Sequence, residues 1–131
     1  MRVKLLSRLH LLLYRLGFVR RLVDLPVLVL TTKGRRSGKP RTVPLTYFED
    51  GGNLVLVASY GGRPHDPDWF VNLEADPSVE VRIGGEHRRM AARRATPEER
   101  ARLWPKIVAG YKGYAAYQAK TTREIPLVIL S

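Results

Sequence analysis

Arg41-Thr42-Val43-Pro44-Leu45-Thr46-Tyr47-Phe48, then Glu49-Asp50-Gly51-Gly52-Asn53, then Leu54-Val55-Leu56-Val57-Ala58-Ser59-Tyr60: two runs rich in Val, Leu, Thr and aromatic residues flank a short stretch of acids and glycines. This pattern predicts a β-hairpin with a tight loop. Upstream, Pro26 to Thr32 is a Val/Leu run bounded by Pro and Gly, which suits a buried strand, and the three runs together predict one antiparallel meander. Downstream, Val79 to Ile83 and Arg88 to Ala95 flank Gly84-Gly85 as a second, more exposed hairpin. Ile125 to Leu130 reads as the last apolar strand, with Pro126 placing its start at a sheet edge.

The helical signals come between and after these strands. Asp66-Pro67-Asp68 predicts a helix start with Asp66 as cap and Pro67 in the first turn, carrying Trp69, Phe70 and Leu73 until Asp76-Pro77. Thr96-Pro97-Glu98-Glu99 is a capping box with Pro at the first helical position, and Pro105 inside the following helix predicts a kink or break. Tyr114 to Lys120 is helical again. Six strands without regular strand–helix alternation predict a mostly β fold, a small antiparallel barrel with flanking helices, and not a doubly wound sheet.

At 131 residues, 44% of them hydrophobic, the chain supports one domain with a real core. Within it, residues 1–25 read as an amphipathic basic helix and residues 26–131 as the barrel. Leu5, Leu6, Leu9, Leu12, Leu13 and Leu16 fall on one helical stripe, with Lys4, Ser7, Arg8 and Arg15 roughly opposite. The apolar run Leu11 to Tyr14 is far short of the ~20 residues a membrane span needs, and no Ala-x-Ala-like cleavage site is present. Two roles are open to this segment: lying on an anionic membrane surface, or capping the core. There is no cysteine, which excludes disulfides, thiolate metal sites, iron–sulfur clusters and a thiol nucleophile, so any redox chemistry must come from a bound cofactor.

Charge is concentrated at one end. Lys plus Arg total 23 against 12 Asp plus Glu, yet residues 1–41 hold 11 of the cations and a single acid, Asp24. The centre of this excess is Thr31-Thr32-Lys33-Gly34-Arg35-Arg36-Ser37-Gly38-Lys39-Pro40-Arg41. Gly34 and Gly38 let backbone N–H groups approach an oxyanion, and Arg35, Arg36 and Arg41 offer planar forks suited to phosphate. The alternative is a solvated basic loop. The asymmetry predicts an anionic partner: a phosphorylated cofactor, a membrane surface or nucleic acid.

Other chemistries find little support. His10, His65 and His87 are scattered over different elements, so no metal site is expected. No Gly-x-Ser-x-Gly elbow, Rossmann glycine pattern or Walker motif is present; Gly34 and Gly38 lie four apart and Lys39 precedes Pro40. Tyr111, Tyr114 and Tyr117 recur every three residues, so on a helix they fan over one broad face at about 60° intervals. Such a face could wall a flat ligand, or could be a core edge with wet hydroxyls. Ala58-Ser59-Tyr60-Gly61-Gly62 likewise could hold the backbone against a ring system or only turn.

Taken in order, Thr32 to Gly38 with Pro40-Arg41, Pro44, Ala58-Ser59 with Gly61-Gly62, Trp69 with Asn72-Leu73, Ala95 to Arg100, Trp104-Pro105, Tyr111, Tyr114, Tyr117-Gln118 and Ile125-Pro126 closely resemble the deazaflavin (F420)-dependent nitroreductase and quinone reductase family. The resemblance runs from about residue 26 to the end. It implies a split β-barrel of the FMN-binding type with a six-strand antiparallel core, coenzyme F420 (an 8-hydroxy-5-deazaflavin), and hydride transfer to a quinone-like or nitroaromatic acceptor.

By the same resemblance the cofactor lies against Arg35, Arg36 and Ser37, the strand Arg41, Thr42, Val43, Pro44, Leu45 and Thr46, the strand end Val57, Ala58, Ser59 and Tyr60, the helix start Asp68, Trp69, Phe70, Val71 and Asn72, and Tyr114. Ser59, Tyr111, Tyr114 and Tyr117 are the implied catalytic set, with Ser59 bonding the acceptor and the tyrosine helix covering the pocket. Family members often carry Lys where this chain has Tyr60 and an apolar residue at Asp68. The implied setting is cytoplasmic, peripheral at the inner membrane face through residues 1–24, as monomer or homodimer and without nucleic acid. The alternatives are an FMN-binding split barrel, or a non-enzymatic binder of anionic membrane or nucleic acid.

Overall fold

The computed structural model describes residues 25–131; the expected N-terminal helix, and with it the membrane contact, lies outside them. Seven strands form one curled antiparallel sheet: β1 (Val27–Lys33), β2 (Pro40–Thr46), β3 (Phe48–Asp50), β4 (Asn53–Val57), β5 (Ser78–Ile83), β6 (Glu86–Arg94) and β7 (Leu127–Leu130), in the order β2-β1-β5-β6-β7-β4-β3. Three helices flank it, α1 (Asp68–Ala75), α2 (Pro97–Gly110) and α3 (Gly113–Ala119).

The two edge strands, β2 and β3, are consecutive in the chain and separated only by Tyr47, whose N–H donates to the Pro26 carbonyl at 3.1 Å. A sheet whose two edges are one residue apart in sequence must curl until they meet, which gives the barrel form. The expected run Arg41 to Phe48 therefore breaks at Tyr47 into two strands, and the count becomes seven. The expected meander is also corrected: β1 pairs with β2, and β3 with β4, but β4 takes β7 as its other neighbour, Val57 opposite Leu127. β7 thus runs between β6 and β4 instead of along an edge, and Pro126 precedes it, offering its carbonyl to the Ala58 N–H at 2.9 Å.

Two apolar clusters fill the fold. Leu28, Leu30, Leu56, Val79, Val81 and Leu130 meet Phe70 and Leu73 of α1, while Val55, Ile125, Leu127 and Ile129 meet Leu103 and Ile107 of α2 and Tyr114 of α3. Each such fully buried side chain contributes roughly 1.5–3 kcal/mol.

Of the kink or break expected at Pro105, the break does not occur, and the second cluster explains why α2 continues through it. Leu103 and Ile107 anchor the helix on both sides, and Pro105 and Ala101, whose carbonyl loses its partner, are exposed to water. The cap expected at Asp66 is corrected too: Pro67 stands at the N-cap of α1 with no side-chain cap, and the Asp66 carboxylate accepts instead from Arg123 Nη1 at 2.9 Å.

The Thr96 box forms as expected: the Glu99 N–H donates to Thr96 Oγ1 (3.2 Å) and the Thr96 N–H to Glu99 Oε1 (2.9 Å). Arg93 of β6 adds a bidentate pair to Glu99 at 2.6 and 2.8 Å. Those guanidinium bonds first, and the box second, hold the Glu99 carboxyl at about 2, below its ordinary 4.5. A depressed carboxyl contributes stability above pH 4.5 that is lost as pH falls toward 2. The melting-temperature advantage of wild type over Glu99→Gln should therefore be full at pH 6 and shrink between pH 4.5 and 2; a gap independent of pH would refute this.

Candidate active site

A cleft of about 950 Å³ opens between the β1–β2 loop, β2, the end of β4 and the start of α1. Its first wall is the basic loop. The Gly34 N–H donates to the Lys39 carbonyl and the Gly38 N–H to the Gly34 carbonyl, both at 2.8 Å, with Gly38 at φ 72°, a left-handed conformation suited to glycine. A Cβ on Gly34 would lie 2.7 Å from Ser37 Oγ, so glycine is what lets this loop close. Ser37 Oγ in turn accepts from the Lys39 N–H (3.1 Å) and from Arg41 Nη2 (3.4 Å).

Arg35 is held from the opposite side. Its backbone N–H (3.2 Å) and Nη1 (2.8 Å) both donate to Asn72 Oδ1, and Nη2 reaches Asp68 Oδ1 at 3.3 Å. Asn72 is 3% exposed and its amide donates to Thr32 Oγ1 at 3.4 Å, so a buried side chain of α1 fixes the guanidinium that faces the cleft. Arg36 makes no polar contact with another described residue. Arg35, Arg36 and Arg41 thus bring three permanent positive charges to one end of the cleft, two of them oriented.

The middle is apolar, made by Val43, Leu45, Val57 and Trp69, and the far wall is Ser59, Tyr60, Gly61 and Arg63. After β4 the chain turns through three consecutive left-handed residues, Tyr60 (φ 47°), Gly61 (64°) and Gly62 (80°). The Ser59 carbonyl accepts from the Gly62 N–H at 2.9 Å and from Arg123 Nη2 at 2.8 Å, whereas its hydroxyl makes no hydrogen bond to another described residue and is free for a ligand. Arg63 lies over the Tyr60 ring, its guanidinium carbon 4.5 Å from the centroid.

The structure therefore brings Arg35, Arg36, Ser37, Arg41, Thr42, Val43, Leu45, Val57, Ser59, Tyr60, Asp68, Trp69 and Asn72 of the expected set around one cleft. It does not bring Pro44, Thr46, Ala58, Phe70 or Val71 to the wall. Strand alternation turns Pro44 and Thr46 away, and Ala58 and Phe70 are fully buried in the first cluster.

The tyrosines form a group of their own. Tyr114 is buried, with its hydroxyl 2.8 Å from Thr46 Oγ1, and Tyr111 and Tyr117 set their hydroxyls 3.3 Å apart. Burial raises the Tyr114 pKa, and the hydrogen bond to Tyr111, with burial, raises that of Tyr117, so both stay protonated donors at neutral pH. The three do not share one helix as expected: Tyr111 is extended (φ −151°) between α2 and α3, and only Tyr114 and Tyr117 lie on α3. That helix packs on the turn at Tyr60–Gly62, with Lys120 Nζ 3.3 Å from the Gly61 carbonyl, adjoining the cleft and not lining it. Gly61, raised with Gly62 as backbone held against a ring system, does line the cleft; sequence reasoning missed Arg63 and Pro67, which also line it, and Arg123 behind it, and Arg123 had no signal nearby.

A cationic end, an apolar middle and a Ser59 hydroxyl at the far wall, all set in a curled antiparallel barrel, make a cleft whose chemistry suits a flat anionic ligand. The barrel form is shared with a FAD-binding protein of Mesorhizobium loti, at 15% identity and TM-score 0.56 over 88% of this chain and 85% of that one. The chain belongs to the F420H(2)-dependent quinone reductase family, whose model matches residues 7–131. It is 39% identical over 109 residues to F420H(2)-dependent quinone reductase Rv1261c of Mycobacterium tuberculosis, covering 81% of this chain and 73% of that protein. Among solved structures, the F420-H2 dependent reductase FDR-A aligns at 42% identity and TM-score 0.73 over 81% of this chain and 94% of its own. Another, described as a domain-swapped dimer, aligns at 42% identity and TM-score 0.74 over 81% of this chain and 80% of its own. The chain is accordingly an oxidoreductase whose cofactor is F420 and whose acceptor is a quinone.

Proposed function

We propose that the cleft holds F420 with its phosphate on the Arg35–Arg41 loop and its ring in the slot between Leu45, Val57 and Trp69, leaving the Ser59 wall to the acceptor. The observation that carries this reading is the distribution of groups along the cleft: three arginines and the Ser37 hydroxyl at one end, and at the other a single arginine, Arg63, stacked on Tyr60, beside a Ser59 hydroxyl with no partner among the described residues. The donor set fits the cofactor, since guanidinium forks match phosphate oxygens and the middle of the cleft carries no charge. When bound in reduced form, F420 supplies a hydride from C5 of its deazaflavin.

What the protein supplies is geometry. Arg35 and Arg41 fix the anionic end, the apolar slot aligns the ring and excludes water, and Ser59 Oγ donates to the acceptor oxygen as negative charge develops there. The helix carrying Tyr114 and Tyr117 acts from behind that wall, supporting the turn that carries Ser59. The same wall accepts a nitroaromatic compound, because a nitro oxygen develops the same negative charge.

Titration of the purified protein with oxidised and reduced F420, with FMN as control, followed by menadione or a nitroaromatic compound, tests the reading. Tight F420 binding with acceptor-dependent reoxidation is expected, and preferential FMN binding would sink it. Ser59→Ala should lower turnover roughly tenfold to a hundredfold, the range of a lost transition-state hydrogen bond of about 1.4–2.7 kcal/mol, with cofactor affinity little changed. Wild-type turnover in that variant would remove Ser59 from the chemistry.

A further inference from the structure

We infer that Arg123, outside the cleft and in the connector between α3 and β7, is the positioning residue that sets the Ser59 wall. Its side chain is 15% exposed, and the guanidinium donates four hydrogen bonds: Nη2 to the Ser59 carbonyl (2.8 Å), Nη1 to the Ala58 carbonyl (3.3 Å) and to Asp66 Oδ1 (2.9 Å), and Nε to the Arg63 carbonyl (2.9 Å). Those acceptors lie on both legs of the turn, one before Tyr60 and one after Gly62. A planar fork with donors in fixed directions spans them; a single ammonium does not.

The arginine is itself fixed from α3. Gln118 Nε2 donates to the Arg123 carbonyl at 2.7 Å, Gln118 Oε1 accepts from the Ile125 N–H at 2.9 Å, and the Arg123 N–H donates to Thr121 Oγ1 at 3.3 Å. One continuous set of hydrogen bonds therefore runs from the tyrosine helix through Arg123 to the turn. Its consequence for the cleft is directional. With the Ala58 and Ser59 carbonyls drawn back onto the guanidinium, the residue presents its hydroxyl to the ligand, and three left-handed residues in succession are held in one arrangement.

This inference rests on the proposed acceptor role of the Ser59 wall, and the test separates the two. Arg123→Gln and Arg123→Lys are compared with wild type by fluorescence titration of F420, by kcat with menadione, and by hydrogen exchange at the Gly62 and Arg63 amides, which bond the Ser59 and Tyr60 carbonyls within the turn. All are measured well below each variant's melting temperature. Both variants should exchange at least tenfold faster at those amides and lose at least tenfold in kcat, with F420 affinity within threefold, because the anionic end is held by the opposite wall. A kcat within twofold of wild type in both folded variants, whatever their melting temperatures, would overturn the inference. Full recovery by Lys alone would also overturn it, by reducing the role to charge pairing with Asp66. If wild type itself shows no F420 binding, the reading of the cleft fails instead, and the exchange data still report whether Arg123 braces the turn.

Discussion

Alanine at both Arg35 and Arg41 should remove most of the affinity for F420. Hydrogen bonds to charged groups contribute about 1.5–3 kcal/mol each, and the two guanidinium groups together are worth roughly 2–4 kcal/mol once partial solvent exposure is allowed for, a loss of about 30- to 1,000-fold. The single variants should differ in kind. The Arg41 side chain hydrogen-bonds only Ser37 among described residues, at 3.4 Å, so Arg41→Ala should weaken binding with little change in melting temperature. Arg35→Ala also leaves Asn72 Oδ1, which now accepts two bonds from Arg35, with the backbone N–H alone, and should cost some stability as well. Fluorescence titration of the deazaflavin at two salt concentrations is the measurement. The loss should be smaller at high salt, where the wild-type attraction is already screened. Unchanged affinity in the double variant would remove the phosphate role from this loop.

That loop is also where the sequence speaks most directly, because its chemistry is local. Two glycines four apart among five cations specify a tight anion-binding turn from neighbouring residues alone, and Gly34, Ser37 and Arg41 do close on one another in space. The Thr96 capping box was legible for the same reason, its two hydrogen bonds spanning three residues. What misled were features decided at long range. Asp66 has the right spacing for a helix cap, but Arg123, 57 residues away, takes its carboxylate. Pro105 has a breaker's chemistry, but packing of Leu103 and Ile107 on the sheet outweighs the lost hydrogen bond. The three tyrosine rings do meet, but not by the helical fan expected: Tyr111 is extended between α2 and α3, and where the cluster stands relative to the cleft depends on how α3 seats on the turn at Tyr60–Gly62, which no local pattern encodes. Asn72, named for the cofactor, does stand at the cleft, and its burial against Arg35 and Thr32 adds a contact that no local pattern encodes, the aiming of the arginine.

The seating of α3 on the turn gives the other large effect, at Gly62. Gly61 and Gly62 share left-handed backbone conformations, φ 64° and 80°, but their surroundings differ. A Cβ on Gly61 meets nothing within 4 Å, whereas one on Gly62 would stand 2.6 Å from the Tyr117 carbonyl oxygen and 3.0 Å from Tyr117 Cα, both backbone atoms. Gly61→Ala should therefore cost only the left-handed penalty of about 1–2 kcal/mol, a few degrees in melting temperature. Gly62→Ala adds displacement of α3 or of the turn, a further ~1–3 kcal/mol, and a fall on the order of 10 °C. The two variants also separate stability from function. Displacement at Gly62 moves the Ser59 wall away from the tyrosines and the Arg123 brace, so turnover with a quinone should drop at temperatures where the variant remains folded. Gly61→Ala, which leaves α3 and the Arg123 brace in place, should lose less turnover than Gly62→Ala. Equal melting temperatures and equal kcat in the two variants would show that α3 does not fix the turn, and the coupling between the tyrosine helix and the acceptor wall would fall with it.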